Sequence, residues 1–255
     1  MAKIIKKTSD LEKEYLKYKK SAKASLRNAA LCFLGVIIGI VLAFLGVNYE
    51  FSSSIGIVLM FVSGVLGAWF FAGISNYENK AKILAKGIEG EFTTQELIKS
   101  LPDNYYGFSN VQVTYEGQTS ELDMIVVGPG GVFVIETKNL NGEIRGTYIS
   151  RNWVQRKVGR GGSPYSNEFY SPVKQIGTHI YRLANFLRDN GAFTYVNGAV
   201  YFSNIEANVE VLGESNGIPV FSCWDHGEEL LKDYILADEK KLNAETINKI
   251  CKLLS

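Results

Sequence analysis

Cysteine is scarce in this chain, and what there is does not pair. Cys32, Cys223 and Cys251 lie far apart and match no disulfide or zinc spacing, so neither a disulfide framework nor a cysteine metal site is expected. They fit a reducing compartment. A charge excess is also missing, with 27 basic residues against 26 acidic ones. That balance excludes a bulk-basic nucleic-acid binder and leaves a local patch as the only route to such contact. Internal repeats and low-complexity tracts are absent. The 255 residues suffice for one or two domains with a sizeable core.

The charge that exists is unevenly placed. Residues 1–28 hold nine Lys or Arg and three acids, whereas residues 75–255 hold 18 basic and 22 acidic side chains. Between them come two long apolar runs: "AALCFLGVIIGIVLAFLGV" at 29–47 and "IGIVLMFVSGVLGAWFFAGI" at 55–74. At a rise of about 1.5 Å per residue each reaches roughly 28–30 Å, the thickness of a bilayer's hydrocarbon core. Neither has a polar face, which argues against buried core helices and for two membrane spans. A cleaved signal peptide fits badly, because the leader and the apolar run are too long and a second span follows.

The link "NYEFSSS" carries no Lys or Arg, while Lys17, Lys19, Lys20, Lys23 and Arg27 precede the first span and Lys80, Lys82 and Lys86 follow the second. The positive-inside rule then places both ends of the chain in the cytoplasm of a two-span cell-membrane protein. Gly35, Gly39 and Ala43 recur at four-residue spacing, as do Ser63 and Gly67. Small residues so spaced let helices approach closely, either to close the hairpin or to form a homo-oligomer. The leader "SDLEKEYLKYKKSAKASLRN" reads as a basic amphipathic helix beside anionic headgroups of the bilayer, or simply as a topology signal. The expected organisation is a basic cytoplasmic segment (1–28), a membrane hairpin (29–74) and a cytoplasmic domain (75–255).

In that domain, helical character persists over 79–100 and stops at "LPDN". Strands are expected at 109–116, through "SELDMIVVG", and after a "GPGG" turn through "GVFVIETKN"; the turn makes the last two a hairpin. Further strands are expected near 143–149, 153–158, 195–203 and 218–222. A helix over 171–190 has Ser171 as N-cap, Pro172 in its first position and Gly191 just beyond. A last helix covers 244–254, and "SCWDHGEEL" reads as a strand-to-helix junction whose Trp224 and His226 are structural.

The chemistry is concentrated in "GVFVIETKN". Four apolar residues, Val132 to Ile135, suit a strand buried on both faces, yet Glu136 and Lys138 follow without a turn and alternate onto one face. Asp123 is likewise an acid inside the apolar run "LDMIVVG", on the neighbouring strand. Two carboxylates brought together away from water resist ionisation. A divalent cation held by oxygen ligands offsets that cost, with Lys138 adding positive charge. The competing reading is a plain Glu136–Lys138 ion pair with acids emerging into solvent.

The blocks "GIEGE", "LPDNYYGFSNVQVTYEG", "ELDMIVVGPGGVFVIETKNLNGEIRG" and "SPVKQIGTHIYRLANFL" together resemble the nuclease-related domain (NERD) family, a branch of the PD-(D/E)XK nuclease-like superfamily. The resemblance runs from about 87 to 203 and implies a restriction-endonuclease-like mixed α/β sheet flanked by helices. It also implies a catalytic set of Asp123, Glu136, Lys138, Glu91 and Gln175. Asp123, Glu136 and Glu91 would hold Mg2+ or Mn2+, and Lys138 would orient or help deprotonate the attacking water. The chain departs from the family with Glu121-Leu122 where Gln-Ile is usual, Thr137 where Val is common and Ser171 where Asn commonly precedes the Pro. His179 stands where related nucleases have Tyr, one helical turn after Gln175.

Between 144 and 167 lie five basic residues and no acid: Arg145, Arg151, Arg156, Lys157 and Arg160. With Trp153 and Tyr165 interleaved, and Gly159, Gly161 and Gly162 suggesting a mobile loop, this stretch suits a nucleic-acid backbone, DNA ahead of RNA. The expectation is a membrane-anchored, metal-dependent nuclease. The alternative is a catalytically silent, membrane-tethered nucleic-acid-binding or protein-interaction module.

Overall fold

The computed structural model describes residues 1–45, 50–159, 161–237 and 242–255. The chain divides into two compact units, Leu11–Ala85 on the one hand and Met1–Asp10 with Lys86–Ser255 on the other.

The first unit is built from helices α1 (Asp10–Leu45) and α2 (Glu50–Lys99), each long and apolar enough to cross a membrane. Almost none of their most apolar stretches is buried, and Phe33, Phe44, Phe61, Trp69 and Phe71 stand exposed. Burial in a protein core is therefore not what these side chains serve. The small residues face one another inside the hairpin. A Cβ on Gly35 would lie 2.5 Å from Ser63 Oγ, and one on Gly39 would lie 2.7 Å from the Gly56 carbonyl. Their spacing brings α1 and α2 together within one chain. Positions 46–49, the end of the first expected span and the start of the link, lie outside the described residues.

The second unit contains strands β1 (Lys3–Lys6), β2 (Tyr106–Tyr115), β3 (Gln118–Gly128), β4 (Gly131–Lys138), β5 (Gly142–Thr147), β6 (Asn152–Val158), β7 (Pro164–Tyr170), β8 (Val196–Phe202), β9 (Ala207–Leu212) and β10 (Val220–Ser222). Helices α3 (Pro172–Asp189), α4 (Gly227–Leu236) and α5 (Ala244–Leu254) complete it, with the end of α2. The main sheet has the order β1-β2-β3-β4-β8-β10, mixing antiparallel β2, β3 and β4 with parallel β1, β8 and β10. A second sheet, β7-β6-β5-β9, was not anticipated in the sequence.

Strand β4 is buried through Thr137 because both faces of the main sheet are covered. Val132 and Val134 pack with Ile125, Val127 and the apolar face of α3, joined by Ile247 and Ile250 of α5. On the reverse, Phe133 and Ile135 pack with Leu97 and Ile98 of α2 and Leu231 and Ile235 of α4. The punctuation of α3 is as expected: Ser171 Oγ accepts the Lys174 N–H, Pro172 opens the helix and Gly191 takes φ +70°.

Three expectations need correction. The glycines after Val158 form a turn, in which Gly159 N–H meets the Ser163 carbonyl at 2.9 Å, so this part of the basic stretch joins β6 to β7 in a β-hairpin and is not a loose loop. Trp153 is wholly buried, stacked on Phe202 at 6.2 Å with Nε1 bonded to the Thr147 carbonyl, so it offers no platform for a base. The leader is also not a separate segment. Its first residues form β1, paired in parallel with β2, and Ala2 and Ser9 are buried there.

Candidate active site

Strands β3 and β4 run paired from Gly128–Gly131 up to Met124–Ile135. One residue further the ladder gives way to a side chain, and Asp123 Oδ2 accepts the Thr137 N–H at 2.9 Å. Its partner position on β2 is Asn110, since Ser109 faces Met124 and Val111 faces Leu122. Asn110 has φ +58°, a left-handed conformation Asn tolerates better than most residues, and its Nδ2 holds the Lys7 carbonyl at 3.1 Å. The inside–outside alternation slips at this pair: Phe108, Val111 and Val113 share one core with Leu122, Ile125 and Val127. Strain of this kind gathers at functional positions. No feature of the sequence pattern singled out Asn110.

Beyond the ladder, Glu136 and Lys138 point to the α3 side. Two strand residues span about 6.6 Å and four helical residues rise about 6 Å, so a pair at i and i+4 on an antiparallel helix can meet both. Lys138 Nζ donates to Glu136 Oε1 at 2.6 Å and to Gln175 Oε1 at 3.1 Å. One turn on, His179 Nδ1 lies 3.4 Å from Glu136 Oε2. Thr137 points the other way, where its hydroxyl meets that of Thr94 on α2 at 2.8 Å.

Glu91 enters from α2 through a close approach. A Cβ on Gly90 would sit 2.7 Å from Asn139 Cβ and 3.0 Å from Ser203 Oγ, so glycine lets this turn of α2 lie against the end of β4. Glu91 is thereby buried, near enough for its charge to raise the Glu136 pKa. Asn139 secures the junction with an Nδ2 bond to the Lys86 carbonyl at 2.7 Å. Glu121, a departure from the resembled pattern, has a local use, since both its oxygens accept the Asp10 N–H at the start of α1, at 3.0 and 3.2 Å.

The electrostatics follow from burial. Glu136, with a side chain 1% exposed, is pushed up by desolvation and held back by Lys138. Asp123 is raised to about 8, first by desolvation and then by the Glu136 charge. For Lys138, desolvation pulls the pKa down, but Glu136 and Asp123 outweigh it and the ammonium is favoured. This lysine is therefore a standing cation and a poor proton acceptor. His179 is lowered to about 4 by desolvation, Lys138 and Arg182, so it is neutral near pH 7.

Asp123, Glu136, Lys138, Glu91 and Gln175 thus come together at one end of the main sheet. Glu136 Oε2 is buried with no hydrogen-bond partner, an oxygen available to a cation. Among the described residues no three His, Cys, Asp or Glu side chains form a ready-made cage. The basic residues are more dispersed. Arg145 pairs with Glu210 at 3.1 Å, Arg151 and Arg156 are exposed, and Lys157 is half-buried on the opposite face of β6 from Arg156. Arg156, Lys157 and the exposed Tyr165 line a groove of about 620 Å3. Arg160 lies outside the described residues.

A sheet whose central hairpin ends in an acid opposite Glu-Thr-Lys, gripped by a helix, is the class of arrangement the sequence resemblance implies. Residues 86–203 match the nuclease-related domain (NERD) family, a stretch that contains all five of these residues. An uncharacterized protein of Bacillus anthracis is 39% identical over 93 residues, covering 36% of this chain and 43% of that protein. The chain therefore spans less than half the length of this relative. No solved structure matches the chain.

Proposed function

We propose that this protein is a membrane-anchored nuclease that hydrolyses nucleic-acid phosphodiesters with a divalent cation. The observation that carries this reading is the convergence of Asp123, Glu136, Lys138 and Gln175, with Glu136 Oε2 left unpartnered, inside the nuclease-related segment. Asp123, Glu136 and Glu91 would hold the cation, which when bound supplies Lewis acidity and a hydroxide-like nucleophile. Lys138, kept protonated by its acidic neighbours, holds positive charge where charge develops on the phosphate. Gln175 fixes that ammonium by accepting one of its hydrogens. The full-length protein in detergent, given DNA and RNA with and without Mg2+ or Mn2+, tests the reading. Metal-dependent cleavage is expected, with DNA the better substrate, and no cleavage of either polymer with either metal sinks it.

The β6–β7 hairpin is the proposed path for the nucleic-acid backbone. Changing Arg151, Arg156 and Lys157 together to Ala should weaken binding and reduce the slope of log affinity against log salt by up to about three, near one per lost phosphate contact. A slope equal to that of the wild type would show that these side chains touch no phosphate.

A two-span topology with both ends cytoplasmic is supported by more than the distribution of Lys and Arg. Strand β1 precedes α1 and β2 follows α2, yet they pair in one sheet, so the hairpin leaves and returns on one side of the bilayer. In a protein freed of Cys32, Cys223 and Cys251, a cysteine at Ser53 should react with an impermeant reagent from outside intact cells. A cysteine at Thr8, which is exposed, should react only after lysis. Outside labelling at Thr8 would refute the arrangement.

A further inference from the structure

We propose that His179 selects the metal, its Nδ1 joining Glu136 Oε2 as a direct ligand and biasing the site toward cations that accept nitrogen, Mn2+ ahead of Mg2+. This rests on the nuclease reading, in that a cation must bind at Glu136. The two atoms face each other at 3.4 Å, both side chains are buried, and neither atom makes a hydrogen bond. A direct hydrogen bond should have been shorter and aligned, since two buried polar groups this close lose stability by leaving it unmade. The separation instead suits two donors of one coordination sphere. Donors about 2.1 Å from a common ion, at angles between octahedral and tetrahedral, lie roughly 3.0–3.4 Å apart.

The surrounding charges leave these two atoms available. Lys138 occupies Glu136 Oε1, so Oε2 is the oxygen left for a cation. An imidazole with its proton on Nε2 presents the Nδ1 lone pair toward Glu136 Oε2. Because no three such side chains form a ready-made cage among the described residues, Asp123 and Glu91 together with water and substrate phosphate would complete the coordination. Carboxylate and water alone suit Mg2+, whereas an imidazole nitrogen favours transition metals.

The test uses the untagged full-length protein in detergent, stripped with EDTA and loaded with Mn2+ alone. Electron spin echo modulation of the bound Mn2+ should show directly coordinated 14N that persists in His226→Ala, the other histidine of the chain, and is lost in His179→Gln. The ratio of Mg2+ to Mn2+ dissociation constants, read by titration calorimetry, should fall about tenfold in His179→Gln, in the range typical of a lost contact at a metal site. The wild-type spectrum decides the matter even if the variant folds poorly. Bound Mn2+ without 14N modulation overturns this inference alone. Absence of any Mg2+ or Mn2+ binding overturns it together with the nuclease reading.

Discussion

Asp123→Asn should abolish metal-dependent cleavage while making the metal-free protein more stable, not less. The carboxylate is raised to about 8 from an ordinary 3.8 by burial and by Glu136, so between those values the folded chain holds a proton the unfolded chain has released. Folding stability must then fall as pH rises through that window. Asparagine keeps the shape and can still accept the Thr137 N–H, but carries no charge to desolvate. In EDTA its melting temperature should exceed that of the wild type above about pH 5 and should vary less with pH, the gain at pH 7.5 being on the order of 1–3 kcal/mol. Addition of Mg2+ should raise the wild-type melting temperature by mass action and leave that of the variant nearly unmoved. A variant less stable than the wild type in EDTA would mean that Asp123 is a structural acid, and the proposed site would fall with it.

Lys138→Met should have the opposite effect on folding. Glu136 is almost without solvent contact, and Lys138 is the cation bonded to it at 2.6 Å. Removing one partner of a buried pair typically costs about 3–5 kcal/mol, because the remaining charge is left uncompensated. At pH 7 the variant should melt well below the wild type. It should recover as pH is lowered and Glu136 takes up a proton, since an acid whose pKa is raised by folding destabilises only while it must be ionised. The double change Glu136→Gln with Lys138→Met should regain most of the loss. If Lys138→Met alone melts like the wild type at every pH, the pair is not the electrostatic unit described. Both proteins should be inactive, so melting and not cleavage separates the outcomes.

The parts of this molecule that could be read from its sequence are those set by short-range pattern. The β3–β4 hairpin follows from two apolar runs around Pro-Gly-Gly, and α3 from Ser171, Pro172 and Gly191 bracketing a periodic face. Asp123, Glu136 and Lys138 were visible because ionisable residues interrupt runs that otherwise want no water. What could not be read depends on distant partners. Glu91 looks like any helical acid until Gly90 is seen to press against Asn139 and Ser203. Trp153 among arginines suggests a base-stacking surface, but Phe202, from another sheet, claims its ring. Strand β7 is exposed at nearly every position, so no alternation announces it, and β1 is only four residues long. His179 showed only that a tyrosine was missing; that it faces Glu136 emerged from the packing of α3 on β4.

The pairing of β1 with β2 also imposes an order on events during synthesis. Lys3–Lys6 leaves the ribosome early, but the residues it must pair with, Tyr106 to Ser109, are made about 100 residues later. In between come both helices able to enter a membrane. The strand therefore waits, unpaired, until β2 is made and its edge can be covered; on the membrane-anchored reading, that interval is when the hairpin would enter the bilayer. A chain whose hairpin failed to turn back would leave β1 and β2 on opposite sides of the bilayer, with an open sheet edge to mark the error.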